Sequence, residues 1–285
     1  MTMKRRDFIT TCGVVTAGTL VAPSWAMGSG GMKPGLQIYS VRSLLKEDFE
    51  GTVKKVAEVG YKNIEGYGLG PNGMFLGSIK PAHYASVIRD QGMSLIATHC
   101  SYTMADKAGP MIEAAAETGM EYMIVPGIPK NLRETIDQWK EIAENMNRLG
   151  EMCIESGLKF GYHNHAFEFE KIDGLIPQEV LIESTDAELV NFEADLFWVS
   201  KGGYDPLELI RKYPGRIRLL HVKDGNEEFE ETTTGEGIID FESIVKAGRR
   251  DAVEYYFIED ERLDNPIQHI SDDFNFISNN KKIFK

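Results

Sequence analysis

Residues 161–170 read GYHNHAFEFE, with His163 and His165 two apart at the end of a short apolar run. On a strand, side chains two apart share a face, so both imidazoles are expected to point one way, with Asn164 turned from them. Paired imidazoles can ligate a metal, or one can ligate while the other takes a proton. Similar residues close other apolar runs: Glu65, His99, Glu193 and Asp195, then His221, Lys223 and Asp224, then Glu259 and Glu261. Brought to one place, His, Asp, His and Glu form a nitrogen and oxygen set suited to Mn, Zn, Co or Fe. A solvated acidic rim would not fall at the ends of apolar runs such as FEAD, LLHVKD and YFIED. Ion pairs between Lys223 and Asp224 or Glu259 are the plain structural alternative for those three. Four of the six histidines occupy such ends, while His83 and His269 lie on predicted helices and read as surface residues.

The elements that would gather these residues follow one grammar. VAEVG-YKNIE (56–65), IRDQG-MSLIATH (88–99), AAETG-MEYMIVP (115–126) and CIESG-LKFGYH (153–163) each end an amphipathic helix, stop at a glycine and start an apolar run. A glycine just past a helix takes the left-handed conformation that other residues resist, and the run after it looks like a buried parallel strand. LVNFEAD, IRLLHVKD and EYYFIED continue the strands, and GLQIYS opens the series. Helices are expected over Asp48–Val59, Asp205–Tyr213 and Asp240–Gly248, each opening on an N-capping aspartate. Eight strands centred at Leu36, Asn63, Leu95, Met123, Phe160, Phe192, Leu219 and Phe257 predict an α/β fold of the (β/α)8 TIM-barrel type. The competing open doubly wound sheet lacks its Gly-x-Gly-x-x-Gly after the first strand. In a TIM barrel the C-terminal strand ends form the active mouth, where the polar residues fall.

The amino terminus reads separately. Lys4, Arg5 and Arg6, a weakly apolar stretch to about Val21 and Ser24-Trp25-Ala26 predict a cleavable signal peptide over residues 1–26, of the twin-arginine type that exports folded proteins. Cys12 precedes the apolar core, which argues against a lipid anchor, and 27–34 reads as a tether to a single domain over 35–285. Losing Lys4, Arg5, Arg6 and Asp7 takes the net charge from −13 to −15. Such a surface repels nucleic acid and anionic membranes. Only Cys100 and Cys153 remain, too few for a disulfide framework. The expected setting is the periplasm.

GLQIYSVR (35–42), GYHNHAFEFE, NFEADLFWV (191–199), GRIRLLHVKD (215–224), GEGIIDF (235–241) and FIEDE (257–261) together resemble the sugar phosphate isomerase/epimerase family. This belongs to the xylose-isomerase-like TIM-barrel superfamily, which also holds inosose dehydratases, ketohexose epimerases and endonuclease IV. The resemblance implies one divalent ion (Mn, Zn, Co, Fe or Mg) on Asp195, His221, Glu259 and a strand-five residue. There the epimerases carry glutamate and this chain carries His163. It also implies proton abstraction beside a sugar carbonyl, with Glu259 and His165 as acid/base groups and Lys223 at the developing oxyanion. Tyr39, Glu65, His99 and Trp198 would line the sugar, and a homo-oligomer is compatible. His163 and His165 could exchange the roles of ligand and base. An imidazole base predicts activity falling as pH drops through about 6 to 6.5. A keto-sugar dehydratase or keto-glycoside lyase is the alternative activity, and a non-catalytic periplasmic sugar-binding protein the alternative class.

Overall fold

The computed structural model describes residues 35–284, and the signal peptide and the tether lie outside the described residues. Eight parallel strands close a barrel: β1 (Gly35–Gln37), β2 (Asn63–Leu69), β3 (Ser94–Cys100), β4 (Tyr122–Val125), β5 (Lys159–His163), β6 (Val190–Asp195), β7 (Ile217–Val222) and, after a small two-stranded ribbon of β8 (Asp224–Gly225) and β9 (Glu231–Thr232), β10 (Tyr255–Ile258). β10 returns to pair with β1, Gly35 opposite Phe257, so no edge remains. All eight expected strands are present, and the ribbon is an addition that the residue pattern did not announce.

The glycine stops behave as their chemistry requires. Gly60, Gly92, Gly119 and Gly157 all have positive φ, from 71° to 121°. The aspartates cap as expected. Asp48 accepts from the N–H of Gly51, Asp205 from Leu207 and Asp240 from Ser243, opening helices Phe49–Val59, Pro206–Lys212 and Phe241–Arg250. Helix Ile136–Glu155, which covers β5 and β6, starts with a capping box between Thr135 and Gln138.

Two packing layers result. Helices bury one face of the strands, and the barrel interior holds Ala97, Tyr122, Ile124, Leu219 and Phe257. Glycine is needed where those large side chains reach across: a Cβ on Gly35 would meet the Phe257 ring at 2.5 Å, and one on Gly161 would meet Ile124 at 2.6 Å. Below them, Lys159 and the Tyr122 hydroxyl both donate to Glu254 at 2.7 Å and close the N-terminal end. With the floor plugged, the polar residues of the strand ends face only the C-terminal mouth. Among the described residues no helix is long and apolar enough to cross a membrane.

Candidate active site

Period-two alternation carries the inward face of each strand from the apolar layer up to a polar one. Leu219 leads to His221, Phe257 to Glu259, Gly161 to His163 and Ala97 to His99. β6 delivers Glu193 and Asp195. His163, Asp195, His221 and Glu259 offer one donor atom each, all within 4.8 Å of one another and all buried. Asp195 Oδ2 lies 3.6 Å from His163 Nε2 and 3.8 Å from His221 Nδ1, and His221 Nδ1 lies 3.2 Å from Glu259 Oε2. Donors around a tetrahedral ion with bonds of ~2.0–2.2 Å sit roughly 3.3–3.6 Å apart, so the set is one that could hold a metal ion. His99, His163, Glu193 and His221 form a second, overlapping group of the same kind. There the Glu193 Oε2 is already shared between His99 at 3.0 Å and His221 at 3.2 Å, which makes it the poorer site for an ion.

Orphaned atoms occur in both sets, since His163 is common to them and Glu193 Oε1 is unpartnered as Asp195 Oδ2 is. Both ring nitrogens of His163 and Oδ2 of Asp195 are buried without a hydrogen-bond partner, which is costly unless something else binds them. Asp195 is also oriented by its backbone neighbourhood. As N-cap of helix Leu196–Lys201, its Oδ1 accepts the Trp198 N–H at 2.9 Å, leaving Oδ2 free. Burial, then the neighbouring His221 and His99, hold His163 far below its usual pKa, so it is a neutral donor. Burial would raise Glu259, but Lys223 and His221 outweigh it and keep the carboxylate ionised. Asp195 is pushed up to about 6, chiefly by burial.

His163 joins this set and His165 does not. β5 ends at His163, so His165 stands on the following turn, yet its ring still packs against that of His163 at 5.0 Å. Asn164 ties the turn down, its Oδ1 accepting the Asp195 N–H at 3.3 Å. Glu168, which lies beyond any strand end and so was not among the expected residues, fixes the other side. It is fully buried, takes the Tyr162 hydroxyl on one oxygen at 2.5 Å and the His165 N–H on the other at 2.9 Å. A glutamate inside the aromatic run FEFE is the signal that marks it. The Nδ1 of His165 is buried without a partner, and burial followed by His163 lowers its pKa to about 3.

A cavity of about 580 Å³ opens over the cluster, with Tyr39, His99, His163, His165, Glu259 and Glu261 in its wall. Two expected sugar contacts are placed elsewhere. Glu65 is fully buried beneath the cavity and accepts from His221 Nε2 at 2.6 Å. Trp198 is half-buried, its ring 5.5 Å from that of His165, and does not line the cavity. Lys223 is also behind the wall. It is ion-paired with Glu261 and lies 3.6 Å from Glu259 and 3.8 Å from Glu231, a carboxylate cage that keeps it charged despite burial. Its reach is to Glu259, not to open cavity, because every acidic neighbour competes for its ammonium.

Asp224 and GEGIIDF turn out to be one structural device. The two Asp224 oxygens accept the N–H groups of Gly225, Gly235, Gly237 and Ile239, and a Cβ on Gly237 would collide with Asp224 Oδ1. The loop so folded brings Glu231 to accept the Glu261 N–H. The two helical histidines stay out of the site. His83 is exposed, while His269 is more covered than a surface residue, bound to Asp264 at 2.8 Å. Cys100 and Cys153 are free and buried.

A closed parallel barrel with its titratable residues gathered at the C-terminal mouth defines the TIM-barrel class. The chain belongs to the xylose isomerase-like TIM barrel family, whose profile matches residues 53–278. Among curated proteins, an inosose dehydratase from Clostridium perfringens is 30% identical over 155 residues, 47% of this chain and 52% of that protein. Another from Geobacillus kaustophilus is 34% identical over 120 residues, 41% and 37% of the two chains. The chain thus spans about half or less of the curated relatives it matches. A solved sugar phosphate isomerase/epimerase from Parabacteroides distasonis superposes with a TM-score of 0.81 at 25% identity, covering 90% of this chain and 97% of that one. A 3-keto-D-glucoside 4-epimerase from E. coli shares the fold at 15% identity, TM-score 0.66, covering 87% and 99%.

Proposed function

We propose that this protein is a metal-dependent isomerase or epimerase of a free sugar or keto-sugar derivative, working by proton abstraction next to a carbonyl. The observation that carries this reading is the placement of an unpartnered neutral imidazole, His165, beside a four-donor cluster in one cavity. Asp195, His221, Glu259 and His163 would hold the ion. Bound there, a divalent ion supplies Lewis-acid polarisation of a carbonyl and its neighbouring hydroxyl. The His165 imidazole, whose Nδ1 is buried, would accept the proton from the adjacent carbon on its other nitrogen, Nε2. Glu259, kept ionised by Lys223 and His221, is the second group able to carry a proton at the same cavity wall. The two-glutamate arrangement that the resemblance associates with ketohexose epimerases is replaced here by a His–Glu pair. Tyr39 and His99, which line the cavity, would contact the substrate.

Turnover of a keto-sugar panel in deuterated water, followed by NMR, should place deuterium on the carbon next to the carbonyl. Conversion without solvent deuterium in product or recovered substrate means hydride shift and discards His165 as base. Elimination on the same site is the second reading, favoured by the inosose dehydratases among the relatives. Product mass separates the two, since an isomer conserves it and elimination releases water or an aglycone.

Export follows from the Arg5-Arg6 and Ser24-Trp25-Ala26 signals. The native protein should be periplasmic and begin at Met27. An intact Met1 on a cytoplasmic protein, read by mass spectrometry, would end that proposal.

A further inference from the structure

Beneath the cluster lie two buried carboxylates that the proposed reaction does not use. Glu65 and Glu193 are buried to within 1% of full burial, and neither is among the four residues assigned to the ion. His221 stands between them and the cluster. Its Nδ1 faces Asp195 and Glu259, and its Nε2 lies 2.6 Å from Glu65 Oε2 and 3.2 Å from Glu193 Oε2. A contact of 2.6 Å between imidazole nitrogen and carboxylate needs a proton between them. With Nε2–H held there, Nδ1 is the nitrogen aimed at the donor set, and an ion binding it would displace the proton that Nδ1 carries in the empty site.

A register shift lies opposite each of the two carboxylates. Ile64 pairs with Leu95 but Glu65 with Ala97, so Ile96 is an extra residue in β3. Phe192 pairs with Ile217 but Glu193 with Leu219, so Arg218 is an extra residue in β7. Such a bulge re-aims side chains of its own strand, and here the two bulged strands lead to His99 and His221 and bring these rings against the carboxylates. His99 meets both as well, 3.0 Å from Glu193 and 3.5 Å from Glu65, so two buried carboxylates face two imidazoles and no charge is left alone.

We infer that Glu65 is a positioning residue: by holding Nε2–H, with Glu193 in support, it fixes His221 in the tautomer and orientation that present Nδ1 to the divalent ion. The inference rests on the metal reading above. It also gives Glu65 a role unlike the substrate contact expected from its place at a strand end. A ligating imidazole whose distal N–H is held by a carboxylate is a recurrent arrangement, and loss of that outer partner costs ~10–100-fold in metal affinity or activity.

The test measures metal, not turnover. Co²⁺ affinity by chelator competition and the visible Co²⁺ spectrum are recorded for the wild type, Glu65→Gln and Glu65→Leu. Gln keeps an acceptor oxygen for Nε2–H, so its affinity should stay within a few-fold of the wild type. Leu removes the acceptor and should weaken Co²⁺ binding ~10–100-fold with an altered spectrum. Because Leu also leaves His99 and His221 short of a counter-charge and can impair folding, histidine-selective ¹⁵N labelling of the Zn²⁺-loaded wild type gives an independent answer. The His221 signals, assigned with His221→Asn, should show Nε2 protonated and Nδ1 without a proton. Leu binding Co²⁺ as the wild type does, or Nδ1 carrying the proton, overturns the role of Glu65 while leaving the metal site intact. A wild type that binds no Co²⁺, Zn²⁺ or Mn²⁺ overturns the metal reading and this role with it.

Discussion

Replacing His165 by alanine should lower kcat about 10²–10⁴-fold, the usual contribution of a positioned general base, with metal affinity nearly unchanged. The separation of the two effects is what identifies a base. His165 shares the cavity with the donor cluster but is not one of its four members. His163→Ala, in contrast, should lose metal and activity together. Equal loss of metal in both variants would return His165 to the ligand set and leave the base unassigned.

The same side chain changes the expected pH profile. A free imidazole predicts an acid limb near pH 6 to 6.5, but burial and His163 depress the His165 pKa to about 3. Its folded-state value is thus below the ordinary ~6.5 of the unfolded chain. Between those values the unfolded state binds the extra proton, so the stability contribution is full above about pH 6.5 and is lost as pH falls towards 3. Activity should therefore show no His165 limb near pH 6. The urea midpoint should fall between pH 6.5 and 4, and less steeply in His165→Ala. An acid limb at 6 to 6.5 that vanishes in that variant would mean that the imidazole is solvated in the working enzyme.

Asp195→Asn should abolish tight metal binding, by more than the ~10–100-fold that an outer hydrogen-bond partner is worth, and activity should follow it down. This variant is cleaner than removing His221. His221 is fully buried against Glu65, Glu193 and Glu259, and its loss would take one counter-charge from each of three buried carboxylates. Uncompensated buried charge typically costs ~3–5 kcal/mol, enough to confuse lost metal with lost fold. Asparagine at 195 keeps an oxygen for the Trp198 N–H and changes only the donor at Oδ2. Metal content measured on the folded variant decides the matter, and full occupancy would remove Asp195 from the site.

Much of the fold was legible along the chain because its signals are local. A glycine that must take positive φ after a helix, an apolar run and an aspartate before the next helix are one-dimensional features, and eight apolar runs, four of them set off by such a glycine, leave few alternatives to a barrel. Polar residues at the ends of apolar runs then mark the mouth, and the resemblance to a known family is what singled out His163, Asp195, His221 and Glu259 among them. What lay across the barrel was not legible. No spacing tells that β3 and β7 each carry an extra residue opposite a glutamate, so Glu65 read as a substrate contact and Glu193 as one more acidic strand end. Lys223 looked available because the three carboxylates that enclose it come from the segment just after β10 and from the small ribbon strand β9. Residue order was enough to say which side chains reach the mouth, since period two and strand succession require only local geometry. Which of them face the cavity and which lie beneath it was settled by the closed barrel, because burial and charge pairing depend on contacts between strands far apart in the chain.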